Sequence, residues 1–157
     1  MPPITIPPTT LTPPLNIFTG CREQNGLGAA LTNLTTLSQR KGTITRPYPV
    51  RFRDVEYPDA ESAFQQLHSQ HRKLPAPQAD LDLMVSILIA KFQQHPRLLL
   101  AVAAKGGVPW LETCEHRTGA RTPAYQWWEG RGRESPMIAV LIEAYGRALV
   151  DVLGERF

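Results

Sequence analysis

Apolar residues along the chain recur mostly at helical intervals. Ala60, Ala63, Phe64, Leu67 and His71 share one helical face behind Asp59, which stands where an N-cap would, so a helix is expected from Asp59 through about Leu74. Pro75 and Pro77 are expected to stop it. Leu83, Met84, Ile87, Leu88, Lys91 and Phe92 are in phase for a second helix, opened by Asp80 and broken at Pro96. Helix resumes from Arg97 to Lys105 and meets a Gly106-Gly107 stop. The clearest helix comes last. Ser135 is its N-cap, Pro136 its first turn, and Ile138, Leu141, Ile142, Tyr145, Leu149 and Val152 its buried stripe before Gly154.

Strand periodicity is confined to one place. Tyr48, Val50 and Phe52 alternate with Pro49 and Arg51, and Val55-Glu56-Tyr57 can return as the hairpin partner beyond Arg53-Asp54. Residues 16–42 show no clear period; four glycines punctuate them, with Asn25-Gly26 a turn signal, and they read as a long loop. Six of the first 14 residues are proline, which fixes φ and removes donors, so residues 1–15 read as an extended arm, either a linker or a peptide-recognition ligand. The remainder, residues 16–157, is one predominantly helical α+β domain with a short β-hairpin.

The composition agrees with a packed domain. Of 157 residues, 42% are hydrophobic and 20% charged, enough apolar surface for a core. The longest apolar runs, residues 98–104 and 137–142, are far below the roughly 20 residues that span a bilayer, so no membrane partner is expected. Residues 1–21 carry no charged side chain, unlike a secretory leader, and two cysteines suit a reducing compartment; a cytoplasmic location is expected. Cys114-Glu115-His116 offers a thiol and an imidazole without further ligands at recognised spacing, and no metal or other cofactor is expected.

Charge is concentrated rather than spread. The net +3 conceals a segment, residues 117–133, with four arginines against Glu129, offset by a final stretch that carries two basic and four acidic groups. The same segment holds Tyr125, Trp127, Trp128, Gly119, Gly130 and Gly132. Guanidinium groups such as that of Arg131 recognise phosphate, indoles stack on bases, and glycines admit close approach of a ligand. Two adjacent tryptophans do not readily share one buried face, so at least one should face a cleft. Among the carboxylates, Glu61 lies in the first turn of its helix, where the dipole favours an anion, and Glu112 and Glu115 would share a helical face. A nucleotide-like ligand is the chemistry these residues suggest.

Several stretches resemble the NADAR family, a group of small domains linked to NAD and ADP-ribose chemistry. VEYPDAESAFQQ at residues 55–66 is similar to its strand-to-helix motif, and AKFQQHPRLLLAVAAKGGVPWLET at residues 90–113 continues in register. ALTNL at residues 30–34 and WEGRG at residues 128–132 resemble two further segments. The chain differs at His68, at Ala124 and Tyr125, at Arg117 and by about ten extra residues between the last two motifs.

The resemblance implies a single NADAR-like domain that hydrolyses the N-glycosidic bond between a base and ribose, without a cofactor. Implied substrates are a phosphoribosylamino-pyrimidine intermediate of riboflavin synthesis or ADP-ribose attached to guanine. Glu61 and Glu112 would be the two catalytic carboxylates, Asn33 a sugar or base contact, Lys91 a phosphate or structural contact, and Trp128 the stacking wall. Trp127, Gly130, Arg131 and Gly132 would complete the binding segment. Two other readings remain: a nucleotide-binding module without turnover, and an assembly protein whose arm and tryptophan loop bury in a homo-oligomer.

Overall fold

A computed structural model describes residues 12–69 and 74–154. The structure is α+β and predominantly helical. Two long helices, α4 (Gln78–Gln94) and α8 (Pro136–Gly154), pack along each other at its centre. Around them lie α1 (Glu23–Leu31), α2 (Thr35–Lys41), α3 (Ala60–Leu67), α5 (Pro96–Lys105) and the single turns α6 (Val108–Leu111) and α7 (Pro123–Gln126). The expected hairpin is present: β1 (Val50–Phe52) pairs antiparallel with β2 (Val55–Tyr57) around Arg53 and Asp54, both at positive φ. A second pair, β3 (Glu115–His116) and β4 (Gly130–Arg131), closes the base of the long loop between them.

The apolar stripes explain the packing. Leu83, Met84, Ile87, Leu88 and Phe92 of α4 are buried, as are Ile138, Leu141, Ile142 and Tyr145 of α8, with Leu149 and Val152 packed at the edge of the core. Ser135 initiates α8 as its composition predicts, since the hydroxyl accepts from the Ile138 amide at 3.2 Å. Past Leu15, the amide of Ile17 donates to Glu115 (2.7 Å) and that of Glu115 donates back to Leu15 (2.9 Å). The Pro13 carbonyl accepts from the Trp110 indole and from Gln24. The described end of the arm is thus docked; residues 1–11 lie outside the described residues.

Three sequence expectations are corrected. Residues 16–42 contain two helices rather than one long loop. The apolar run of α1 is buried on all sides, so it shows no period, and Gln24, Asn25 and Gly26 ahead of it do adopt left-handed φ. Gly26 is required there, because a Cβ would lie 2.3 Å from the Thr43 carbonyl oxygen. The helix begun at Asp59 ends at Leu67 instead of near Leu74. His68 turns extended, and the Asp80 carboxylate captures the next residue through the Ser69 amide (2.9 Å) and hydroxyl (2.8 Å). His71, expected on the buried face of that helix, lies outside the described residues. Finally, Glu115 belongs to β3, so it does not share a helical face with Glu112.

One charged side chain is part of the core. Lys91 is only 1% exposed, and its ammonium donates to the carbonyls of Ala30 and Thr32, both at 2.7 Å. The Tyr48 ring lies 5.7 Å beyond it. Burial pushes the ammonium down to about 7, with the Asp59 carboxylate pulling the other way. Above that pH the unfolded chain keeps a proton that the folded chain has released, so stability should rise with pH. The rise should be readable up to about pH 9, before the Cys114 thiol, which burial raises to about 11, begins to oppose it. Denaturant unfolding is expected to show this gain in the wild type and not in Lys91→Met. The variant should also lose about 1–3 kcal/mol at neutral pH through its two orphaned carbonyls. A wild-type stability flat across that window would mean that the ammonium stays charged in the fold.

Candidate functional site

The site is assembled on the turn between α1 and α2. Lys91 holds the carbonyls of Ala30 and Thr32, and just beyond them the backbone carbonyl of Asn33 accepts from the Glu61 amide at 3.0 Å. Asp59, fully buried, fixes the other side. One carboxylate oxygen accepts from the Ser62 amide and hydroxyl at 2.8 Å each, and the other from the Thr36 amide at 3.2 Å and hydroxyl at 2.7 Å. The start of α3 is therefore locked to the start of α2, and Glu61 is presented beside Asn33.

Glu61 sits in the wall of a cavity of about 500 Å³. Burial raises its carboxyl above the usual range. The Gln65 amide, donating at 2.6 Å, and Asn33 pull it back, as does His68, while the Asp59 charge adds to the rise. The Asn33 side-chain nitrogen also lies 3.1 Å from the Met84 sulfur and 3.7 Å from that of Met137. Its Oδ1 is buried with no hydrogen-bond partner among the described residues. The carboxamide is therefore held by its nitrogen.

Aromatic rings form another part of the lining. Trp128 meets Phe64 edge-on at 5.8 Å, and Phe64 stacks on His68 at 5.3 Å. Trp128 is fixed through its carbonyl, which accepts from the Ser135 hydroxyl at 2.6 Å and the Met137 amide at 3.3 Å. Tyr125 and Ala124 bring α7 to the same cavity. The loop carrying them is closed on itself by Glu129, which accepts from the Thr118 amide (2.7 Å) and hydroxyl (2.6 Å). His116 also lines the cavity. Its Nδ1 donates to the Ile17 carbonyl at 2.7 Å, and burial keeps the imidazole below its ordinary pKa, so at neutral pH Nε2 carries the lone pair.

The structure brings together only part of the set read from the sequence. Glu61, Asn33 and Trp128 line the cavity; Glu112, Lys91, Trp127, Gly130, Arg131 and Gly132 do not. Glu112 caps α6 at the surface and pairs with Arg133 at 3.3 Å. Lys91 takes the structural branch of its expectation. Trp127 leans edge-on against Trp128 at 5.1 Å. The close approach that Gly132 permits is to the chain itself, since a Cβ there would stand 2.5 Å from the Glu112 carbonyl oxygen. Thr19, Lys41, Gln65, Met84 and His116, none of them singled out as a binding residue from sequence, also contribute to the lining. They come from segments with no shared spacing, so the chain offers no local signal for their meeting.

No family model matches the chain, and neither a curated protein nor a solved structure does. Among the described residues no group of three or more His, Cys, Asp or Glu is placed to hold a metal ion, and no helix is long and apolar enough to cross a membrane.

The Glu61 environment makes a direct prediction. Gln65 is at the surface, so Gln65→Ala should fold normally while removing the strongest bond to the carboxylate form. Carboxyl carbon NMR is expected to place the Glu61 midpoint higher in that variant than in the wild type. A midpoint that stays put or falls contradicts the hydrogen bond's role.

Proposed function

We propose that the protein hydrolyses the N-glycosidic bond of a ribosylated, phosphorylated base, with Glu61 as the working carboxylate. The observation that carries this reading is the Glu61 carboxyl, raised by burial and set beside Phe64, His68 and Trp128 in a cavity of about 500 Å³. The cavity's other lining carboxylate, Asp80, is taken up by Ser69. Cleavage of the C–N bond leaves positive charge on the sugar; a carboxylate at that carbon stabilises it. The same carboxylate takes a proton from water as the hydroxyl adds to the anomeric carbon. The base leaves with the C–N electron pair and takes a proton from solvent, to which the Glu61 carboxyl releases its own, so that one water is consumed overall. A carboxyl raised towards neutrality is the better base for that step. Trp128 provides the face on which the base stacks, and Asn33 orients Glu61.

Glu112 receives no step, because it lies outside the cavity. The resemblance to NADAR domains supports the same chemistry, and its two implied substrates, the ribosylated pyrimidine phosphate and the ADP-ribosyl guanine adduct, are the candidates to test.

Incubation with each compound, and with NAD, followed by mass analysis of released base is the test. The wild type is expected to release base from at least one of them. Glu61→Gln should slow release by about a hundred- to ten-thousandfold. Glu112→Gln should release base at close to the wild-type rate. Ligand-induced stabilisation without release from any compound points to a binding module instead. Equal rates in wild type and Glu61→Gln remove Glu61 from the chemistry.

A further inference from the structure

The charges around the cavity are asymmetric. Lys41 is the one lysine or arginine in the described lining; the four arginines of residues 117–133 are absent from it. The two lining carboxylates belong to Glu61 and Asp80, and Asp80 is occupied by the amide and hydroxyl of Ser69. Lys41 forms no ion pair among the described residues. Its ammonium donates instead to the neutral hydroxyl of Thr19 at 2.8 Å. The Lys41 ammonium therefore stands at the exposed edge of the cavity, and the Thr19 hydroxyl is its one hydrogen-bond partner among the described residues.

This pair is held rather than floating. The Thr43 hydroxyl donates to the Thr19 carbonyl at 2.6 Å, and the left-handed Gly42 ends α2 directly after Lys41. Gly26 leaves room for the Thr43 carbonyl, which fixes the far side of the same turn. Two residues before Thr19, the Ile17 carbonyl holds His116, so the imidazole borders the same end of the cavity. Arg22 reinforces the positive field, its guanidinium donating to the Lys41 carbonyl at 3.1 Å.

We infer that Lys41 and Thr19 form the anion subsite of the cavity and receive the 5′-phosphate of the ribosyl ligand. A phosphate entering this cavity is attracted to Lys41 and repelled from Glu61 and Asp80. One orientation results, with the phosphate at the α2 end and the anomeric carbon towards Glu61. The phosphate-binding role expected of the arginine-rich loop, or of Lys91, passes to Thr19 and to Lys41 at the end of α2. The inference rests on the hydrolase reading only in taking this cavity as the place where a ribosyl phosphate binds.

The test uses calorimetric titration of the full chain with ribose 5-phosphate and with ribose as probes. Ribose 5-phosphate is expected to bind at least about tenfold more tightly than ribose, the worth of one charge-assisted hydrogen bond. Lys41→Met should erase that advantage, Thr19→Val should reduce it, and Lys41→Arg should restore most of it. Lys41 is exposed, so a matching thermal melt will confirm that the variants fold. Equal binding of the two sugars, no binding of either, or full discrimination in Lys41→Met each overturns the subsite. Phosphate discrimination without base release from any compound refutes hydrolysis and leaves the subsite standing. Base release without discrimination does the reverse.

Discussion

Everything in the candidate site depends on how the turn between α1 and α2 is anchored. That turn is gripped from both sides by buried charge: the Lys91 ammonium takes the carbonyls of Ala30 and Thr32, and the Asp59 carboxylate takes the amide and hydroxyl of Thr36. Charges are costly to bury, and both are acceptable here because each has several hydrogen-bond partners. Between the two grips, Asn33 meets the first turn of α3 through its backbone and brings its side chain to Glu61. Breaking either grip by replacing Lys91 or Asp59 would loosen the site without replacing any side chain that lines the cavity.

This arrangement shows why a helix N-terminus can carry a carboxyl of raised pKa. The helix dipole and the donors at an N-terminus ordinarily favour the ionised form. In α3 the cap is already filled by Asp59, whose own negative charge lies close behind Glu61. Burial against the cavity wall does the rest, moderated by the exposed Gln65, the confined Asn33 amide and His68. The aromatic side of the cavity is secured separately, by the Ser135 hydroxyl that caps α8 and also holds Trp128. One residue thus sets both the start of the longest helix and the position of the wall.

The fold was largely legible in the chain wherever one face of an element is buried. The stripes of α4 and α8, the alternation at Val50 and Phe52, and the caps at Asp59 and Ser135 all appear at the residues where periodicity and cap chemistry place them. The pattern failed where burial is all-round, as in α1, and where a distant side chain stops a helix, as Asp80 does at Ser69. The site was less legible. Glu61, Asn33 and Trp128 could be singled out from composition and resemblance, but Thr19, Lys41 and His116 meet only through the docking of Ile17 beside β3 and the turn after α2. A local concentration of arginine drew attention to residues 117–133, yet the arginine side chains stay at the surface outside the cavity, while Trp128 is half-buried in its wall and the exposed Tyr125 borders it.

The proposed hydrolysis and the proposed anion subsite both require a ribosyl phosphate to lie in this cavity with its sugar at Glu61 and its base against Trp128. A crystal structure of Glu61→Gln soaked with a ribosylated pyrimidine phosphate addresses this placement without relying on turnover. The predicted density places the anomeric carbon within contact of residue 61, the pyrimidine on the indole of Trp128 and the phosphate beside Lys41. An empty cavity at saturating concentration, or the compound bound elsewhere on the surface, would contradict the account.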